Sequence, residues 1–195
     1  MPTKSLKRLI DCDGPLLVLD LEATCAEDDT VPKREMEIIE IGAVVIDMTG
    51  RALDSFQAFV RPVRHPQLTP FCQTLTGISQ RDVDSAERLP RVTDQFREWI
   101  GNNGALLWSS WGRFDRMLFE RDFAFHGVPS PLPGKHVNLR ECFEETVVSD
   151  RVDFATALSR AGLAFEGRPH RGIDDARNTA RLVPVILDHI PPELR

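Results

Sequence analysis

Residues 14–22 read Gly14-Pro15-Leu16-Leu17-Val18-Leu19-Asp20-Leu21-Glu22, and the architecture of the chain turns on them. Leu16–Leu19 is a short uninterrupted apolar run behind a Gly-Pro break, the pattern of a strand buried on both faces. Side chains alternate along a strand, so Asp20 and Glu22 project from one face at its end. Like charges this close repel, and either protonation of one or a bound cation relieves the repulsion. Two acids where a strand enters a loop are commonplace, so the rest of the chain must decide what they mean.

Downstream of this run, Glu37–Asp47 alternates with Ile39, Ile41, Ala43 and Val45 on one face. Asp47-Met48-Thr49-Gly50 reads as a turn and Arg51–Arg61 as the returning strand of an antiparallel hairpin. Thr69-Pro70 caps a short helix that Gly77 should stop, and Ser79-Gln80-Arg81-Asp82 is a capping arrangement for another. Leu89, Val92, Phe96 and Ile100 recur at helical spacing, and Gly101 should end that run. Ala105-Leu106-Leu107-Trp108 reads as a further buried strand, with a helix behind it marked by Phe114, Met117 and Leu118. Residues 127–137 are rich in proline and glycine and read as a loop. Short helices are expected near 138–147 and 153–161, the second capped by Asp153. A last helix starts at about Asp174, with Asp174 as its cap. Three early strands followed by alternating strands and helices give an α/β sandwich with a mixed sheet.

The composition sets the outer bounds. A chain of 195 residues, 42% hydrophobic and 28% charged, suits one domain with a real core. Its organisation is read as a 1–14 tail, a single domain over 15–190, and a 191–195 tail. The net charge of −6, from 24 basic and 30 acidic residues, argues against binding of nucleic acid or membrane through a strongly basic overall field. It leaves room for an enzyme that recruits cations to meet a polyanion. The first residues, MPTKSLKRLIDCDG, lack the apolar stretch of a leader, and no run approaches the ~20 residues of a membrane span. Cys12, Cys25, Cys72 and Cys142 form no CxxC pair or zinc spacing, which points to reduced thiols and a cytoplasmic protein.

The chemistry-bearing residues are few. Asp115 falls in the first turn of the helix after the second buried strand, where an isolated aspartate ordinarily offsets the helix dipole. Asp174 and Asp175 open the final helix under the same bland reading. His170 changes the balance: it stands five residues before Asp175, in Gly167-Arg168-Pro169-His170-Arg171-Gly172-Ile173-Asp174-Asp175. An imidazole there, titrating near ~6.5 when unperturbed, reaches a water held by the carboxylates and accepts its proton around neutrality.

An Asp-x-Glu pair, a mid-chain aspartate and a late His-x4-Asp, in that order, resemble the DEDDh-type 3′→5′ exonucleases of the ribonuclease H-like superfamily, the group of RNase T and the polymerase III proofreading subunit. Pro70-Phe71-Cys72-Gln73-Thr74-Leu75-Thr76-Gly77-Ile78 and residues 167–175 are similar to the Eri-type branch, with the 3′ histone-mRNA exonucleases and KapD-like proteins. The resemblance implies a central mixed five-stranded sheet flanked by helices. It implies Asp20, Glu22, Asp115, His170 and Asp175 as catalytic residues, the four acids holding two divalent ions, Mg²⁺ or Mn²⁺. Such ions lie about 3.5–4 Å apart and neutralise the attacking and leaving oxygens of a phosphodiester. Asp20 would bridge both ions, Glu22 and Asp175 would complete the nucleophile side, Asp115 would hold the other ion, and His170 would deprotonate the attacking water. Leu75, Thr76 and Phe114 would contact the terminal nucleotide, and Arg113, Arg116, Arg168 and Arg171 would steer the backbone. The expected partner is single-stranded or 3′-overhanging nucleic acid, RNA favoured, with release of nucleoside 5′-monophosphates and no membrane. The alternatives are a DNA-trimming exonuclease, a catalytically idle RNA-binding module on the same fold, and a metal-dependent phosphatase on small nucleotides.

Overall fold

The computed structural model describes residues 2–105 and 107–194. Five strands form one sheet in the order β3-β2-β1-β4-β5. These are β1 (Leu16–Ala23), β2 (Ile38–Ile46), β3 (Ala52–Phe59), β4 (Leu107–Ser110) and β5 (His136–Asn138). β1 pairs antiparallel with β2 and parallel with β4, β2 with β3 forms the expected hairpin, and β4 pairs parallel with β5. The sheet is therefore mixed, with the Leu16–Glu22 segment in its central strand.

Among the described residues, eight helices flank the sheet: α1 (Lys4–Ile10), α2 (Pro70–Thr76), α3 (Gln80–Ser85), α4 (Leu89–Asn103), α5 (Phe114–His126), α6 (Leu139–Phe143), α7 (Phe154–Arg160) and α8 (Gly172–Asp188). The strand period of two sorts β1 between them. Leu16 and Val18 join the core built with α1, α6 and α8, whereas Leu17, Leu19 and Leu21 join the core built with α4 and α5. Asp20 and Glu22 continue the first of these rows, so they emerge on the α8 side. β2 is buried along its whole length because helices cover both of its faces.

Local capping follows the sequence closely. Thr69 accepts from the Cys72 N–H, Gly77 closes α2 at φ 67°, and Ser79 with Asp82 forms a reciprocal capping box on α3. Elsewhere the structure corrects the reading. Gly101 does not end α4, which runs two residues further to a left-handed Gly104. The β4 strand extends to Ser110 rather than Trp108, and Leu106 of that predicted segment lies outside the described residues. Residues 136–138, placed at the edge of a loop, form β5; three residues carry no readable period, and pairing with β4 decides their state. The helix predicted over 138–147 is α6 followed by a π-helical turn at Glu144–Val148.

Asp174 is not the cap of α8. The helix starts two residues earlier at Gly172, Arg171 takes the N-cap position, and the Asp174 carboxylate instead accepts the Arg168 N–H at 3.0 Å. The 1–14 segment, expected as a tail, carries α1, whose Leu6 and Leu9 are fully buried against β5, α6 and α8. At the other end, Leu194 in a short 3₁₀ turn packs on the same core; Met1 and Arg195 of these two segments lie outside the described residues.

Candidate active site

The predicted site residues arrive from four directions. Asp20 and Glu22 end β1, Asp115 sits in the first turn of α5 behind β4, and Asp175 sits in the first turn of α8. His170 lies on the loop just before α8. All five line one cleft of about 350 Å³. Oxygens of Asp20, Glu22 and Asp175 lie within 4.8 Å of one another. Asp115 is buried and its Oδ1 accepts the Leu21 N–H at 3.2 Å, which ties the start of α5 to the backbone between Asp20 and Glu22. Oδ2 of Asp175 accepts the Arg171 N–H at 3.0 Å, an anion at the positive end of α8.

Burial and crowding shift all four acids toward their neutral forms. Burial raises Glu22 to about 9, with Asp175 and Glu40 adding repulsion. Burial raises Asp115 to about 7 against the hydrogen bond from Leu21, and Asp175 to about 6. Asp20 is raised well above the ordinary carboxylate range by burial and then by Asp115, Glu22 and Asp175. A divalent cation would offset the cost of ionising these buried, mutually repelling groups. The donor set is hard carboxylate oxygen, which suits Mg²⁺ or Mn²⁺. The residues fit such ions.

His170 is exposed at the cleft and adopts φ 62°, a left-handed conformation uncommon for any residue but glycine. Of the expected nucleotide contacts, Leu75 and Phe114 line the cleft, and Phe114 leaves 49% of its surface exposed there. Thr76 does not line it. Its buried hydroxyl donates to the Cys72 carbonyl at 2.8 Å and accepts the Ile78 N–H at 3.1 Å, so it closes α2. The four arginines are engaged: Arg113 with Glu141, Arg116 with Glu120, Arg168 with the Thr74 carbonyl, and Arg171 with Glu40.

Sequence reasoning missed several members of the site. Trp111, Phe154, Met36 and Cys25 complete the cleft wall, and Glu40 stands opposite Glu22 in the β1–β2 register. The Trp111-Gly112 pair just before Asp115 was a usable signal; Phe154 and Glu40 are brought in by tertiary register alone.

Two other features compete for notice. A larger cavity of about 530 Å³ lies along α5, lined by Arg8, Trp108, Arg116 and His136 among others, and holds none of these acids. A second acid cluster, Glu37, Asp122 and His126, is already satisfied. Glu37 accepts the Val63, Arg64 and His65 N–H groups, and Asp122 accepts Ile38 N–H and Arg64. That cluster clamps the 63–65 segment onto α5.

A mixed five-stranded sheet with acids gathered at the end of its central strand and at the starts of two flanking helices is the arrangement of a ribonuclease H-like nuclease. Comparison with known proteins agrees. The family profile described as Exonuclease matches residues 17–183. The 3′-5′ exonuclease Snipper of Drosophila melanogaster is 31% identical over 86% of this chain and 67% of its own length. Human 3′-5′ exoribonuclease 1 is 32% identical over 86% of this chain and 50% of its own. The solved nuclease domain of 3′hExo, a DEDDh family member bound to rAMP, superposes with a TM-score of 0.80 at 28% identity, covering 90% of this chain and 92% of that one. The chain belongs to the Exonuclease family, in its DEDDh-type 3′→5′ class.

Proposed function

We propose that this enzyme removes nucleotides one at a time from the 3′ end of RNA, releasing nucleoside 5′-monophosphates with two divalent ions and a histidine base. The observation that carries this reading is the convergence of Asp20, Glu22 and Asp175 oxygens within 4.8 Å, in a cleft shared with Asp115 and His170. Asp20, Glu22 and Asp175 would hold one ion, and Asp115 with Asp20 the other. When bound, the ions supply charge neutralisation on the phosphate and a more acidic water.

The chain's own groups do the rest. His170, exposed on its loop, takes the proton of the attacking water on a ring nitrogen. Leu75, Phe114, Trp111 and Phe154 offer apolar and aromatic surface to the terminal base, and such surface accepts every base face. Thr76 supports Leu75 from behind by closing α2.

The preference for RNA is supported by the human relative, which is named an exoribonuclease, and by the 3′hExo domain bound to rAMP. Four cysteines without disulfides support action in a reducing compartment such as the cytoplasm. Rates on sequence-matched single-stranded RNA and DNA test the substrate assignment. RNA is expected to be cut faster; faster DNA cleavage would favour a DNA-trimming role, and tight RNA binding without hydrolysis an idle binding module.

A further inference from the structure

Glu40 lies in β2, is fully buried, and faces the same side of the sheet as Asp20 and Glu22 because Glu22 pairs with Glu40 and Asp20 with Gly42. Its two oxygens take four donors. Oε2 accepts the Gly172 N–H and the Arg171 Nε, both at 3.1 Å; Oε1 accepts Gln57 Nε2 at 2.6 Å and an Arg171 terminal nitrogen at 3.4 Å. With two donors on each oxygen, the carboxylate has no lone pair to spare for an ion. Its donors include both residues that directly follow His170.

The same contacts continue toward the cleft. The Arg171 N–H holds Oδ2 of Asp175 at 3.0 Å, so the residue gripped by Glu40 in turn orients an acid of the site. The start of α8 is seated on bare backbone: a Cβ on Gly42 would stand 2.0 Å from the Gly172 carbonyl carbon. His170, one residue before this anchored point, keeps a left-handed φ of 62°, a conformation that persists only where surrounding structure enforces it.

Resting on the function proposed above, we infer that Glu40 is a positioning residue: by fixing Arg171 and Gly172 at the start of α8, it sets where His170 and Asp175 stand relative to Asp20 and Glu22. Displacement of a reacting group by about 1 Å costs on the order of 10²-fold in rate. Loss of this anchor should therefore lower kcat and leave substrate affinity alone.

The test compares wild type, Glu40→Gln, Glu40→Ala and Arg171→Ala on one RNA oligomer with Mg²⁺, together with melting temperatures and Mn²⁺ affinity by electron paramagnetic resonance. Glu40→Gln keeps an acceptor for the Gly172 N–H and should be the milder Glu40 variant. Glu40→Ala and Arg171→Ala should lose about 10–100-fold in kcat with KM within about twofold. Mn²⁺ affinity should fall in the order wild type, Glu40→Gln, Glu40→Ala. The inference is overturned if folded Glu40→Gln and Arg171→Ala keep wild-type kcat, or if kcat and KM change together in proportion to lost melting temperature. Should wild type not cut RNA, the functional reading fails separately. Mn²⁺ affinity then decides the role of Glu40, and equal values in wild type and Glu40→Gln refute it.

Discussion

Four carboxylates line one cleft, and at the scale of single residues their burial and mutual repulsion raise the affinity of each for a proton. The sequence exposes the residues set by short-range rules. Asp20 and Glu22 are two apart on a strand, Asp115 falls in a first helical turn, and His170 precedes Asp175 by five; all five reach the cleft. Thr76 shows where such reasoning stops, because a threonine hydroxyl at a helix end bonds backbone as readily as substrate. Replacing His170 by alanine removes the proposed base and leaves the acids in place. The expected outcome is a kcat lower by ~10²–10⁴ with Mn²⁺ affinity unchanged, read by single-turnover kinetics and metal titration. Unchanged kcat in the alanine variant would take His170 out of the mechanism.

At the scale of elements, the site exists because β1, β2 and α8 meet with almost no spacing. Gly42 is the contact point, since any side chain there would collide with the backbone at Gly172 and Ile173. Gly42→Ala should cost ~1–3 kcal/mol as an overpacked core change, measured by chemical denaturation, and should lower kcat by displacing α8. Unaltered stability would mean that α8 does not rest on β2 as described. The strands and helices with strong period or caps were legible: β1, the β2–β3 hairpin, α2, α3 and α7. The β5 strand was not, because His136-Val137-Asn138 is too short for a period and owes its state to β4. Nor was α1, whose seven residues bury Leu6 and Leu9 only because a β5–α6–α8 surface waits for them. Glu40 is not legible as more than one acid in an alternating strand, because its Arg171 and Gly172 partners lie more than a hundred residues away.

At the scale of the whole molecule, a net charge of −6 is compatible with a polyanionic substrate if cations are bound where the acids concentrate. Two divalent ions would bring that figure to −6 + 4 = −2. Metal bound by these acids would couple to stability. Asp175, Asp115 and Glu22, raised to about 6, 7 and 9, hold protons more tightly in the folded protein than in the unfolded chain. Their contribution is therefore fully present below the ordinary carboxylate range and is lost as pH rises from there through about 9. Metal-free protein should melt at progressively lower temperature across that window, and Mg²⁺ or Mn²⁺ should raise the melting temperature more at pH 8.5 than at pH 5. A larger metal effect at pH 5 would mean that these carboxylates are not where the ions bind.

Whether the acids of one cleft cut nucleic acid from its 3′ end with the help of divalent ions can be read from 5′-labelled single-stranded RNA. With Mg²⁺ or Mn²⁺ the wild-type enzyme should shorten the labelled strand stepwise to a ladder and release nucleoside 5′-monophosphates. Chelation should stop the reaction, and Asp20→Asn should slow it by roughly 10³-fold or more, the scale of losing an electrostatic contact essential to the transition state. A labelled strand that shortens equally in Asp20→Asn, or that is cut as fast in chelator, would mean that these acids and ions do not carry the cleavage.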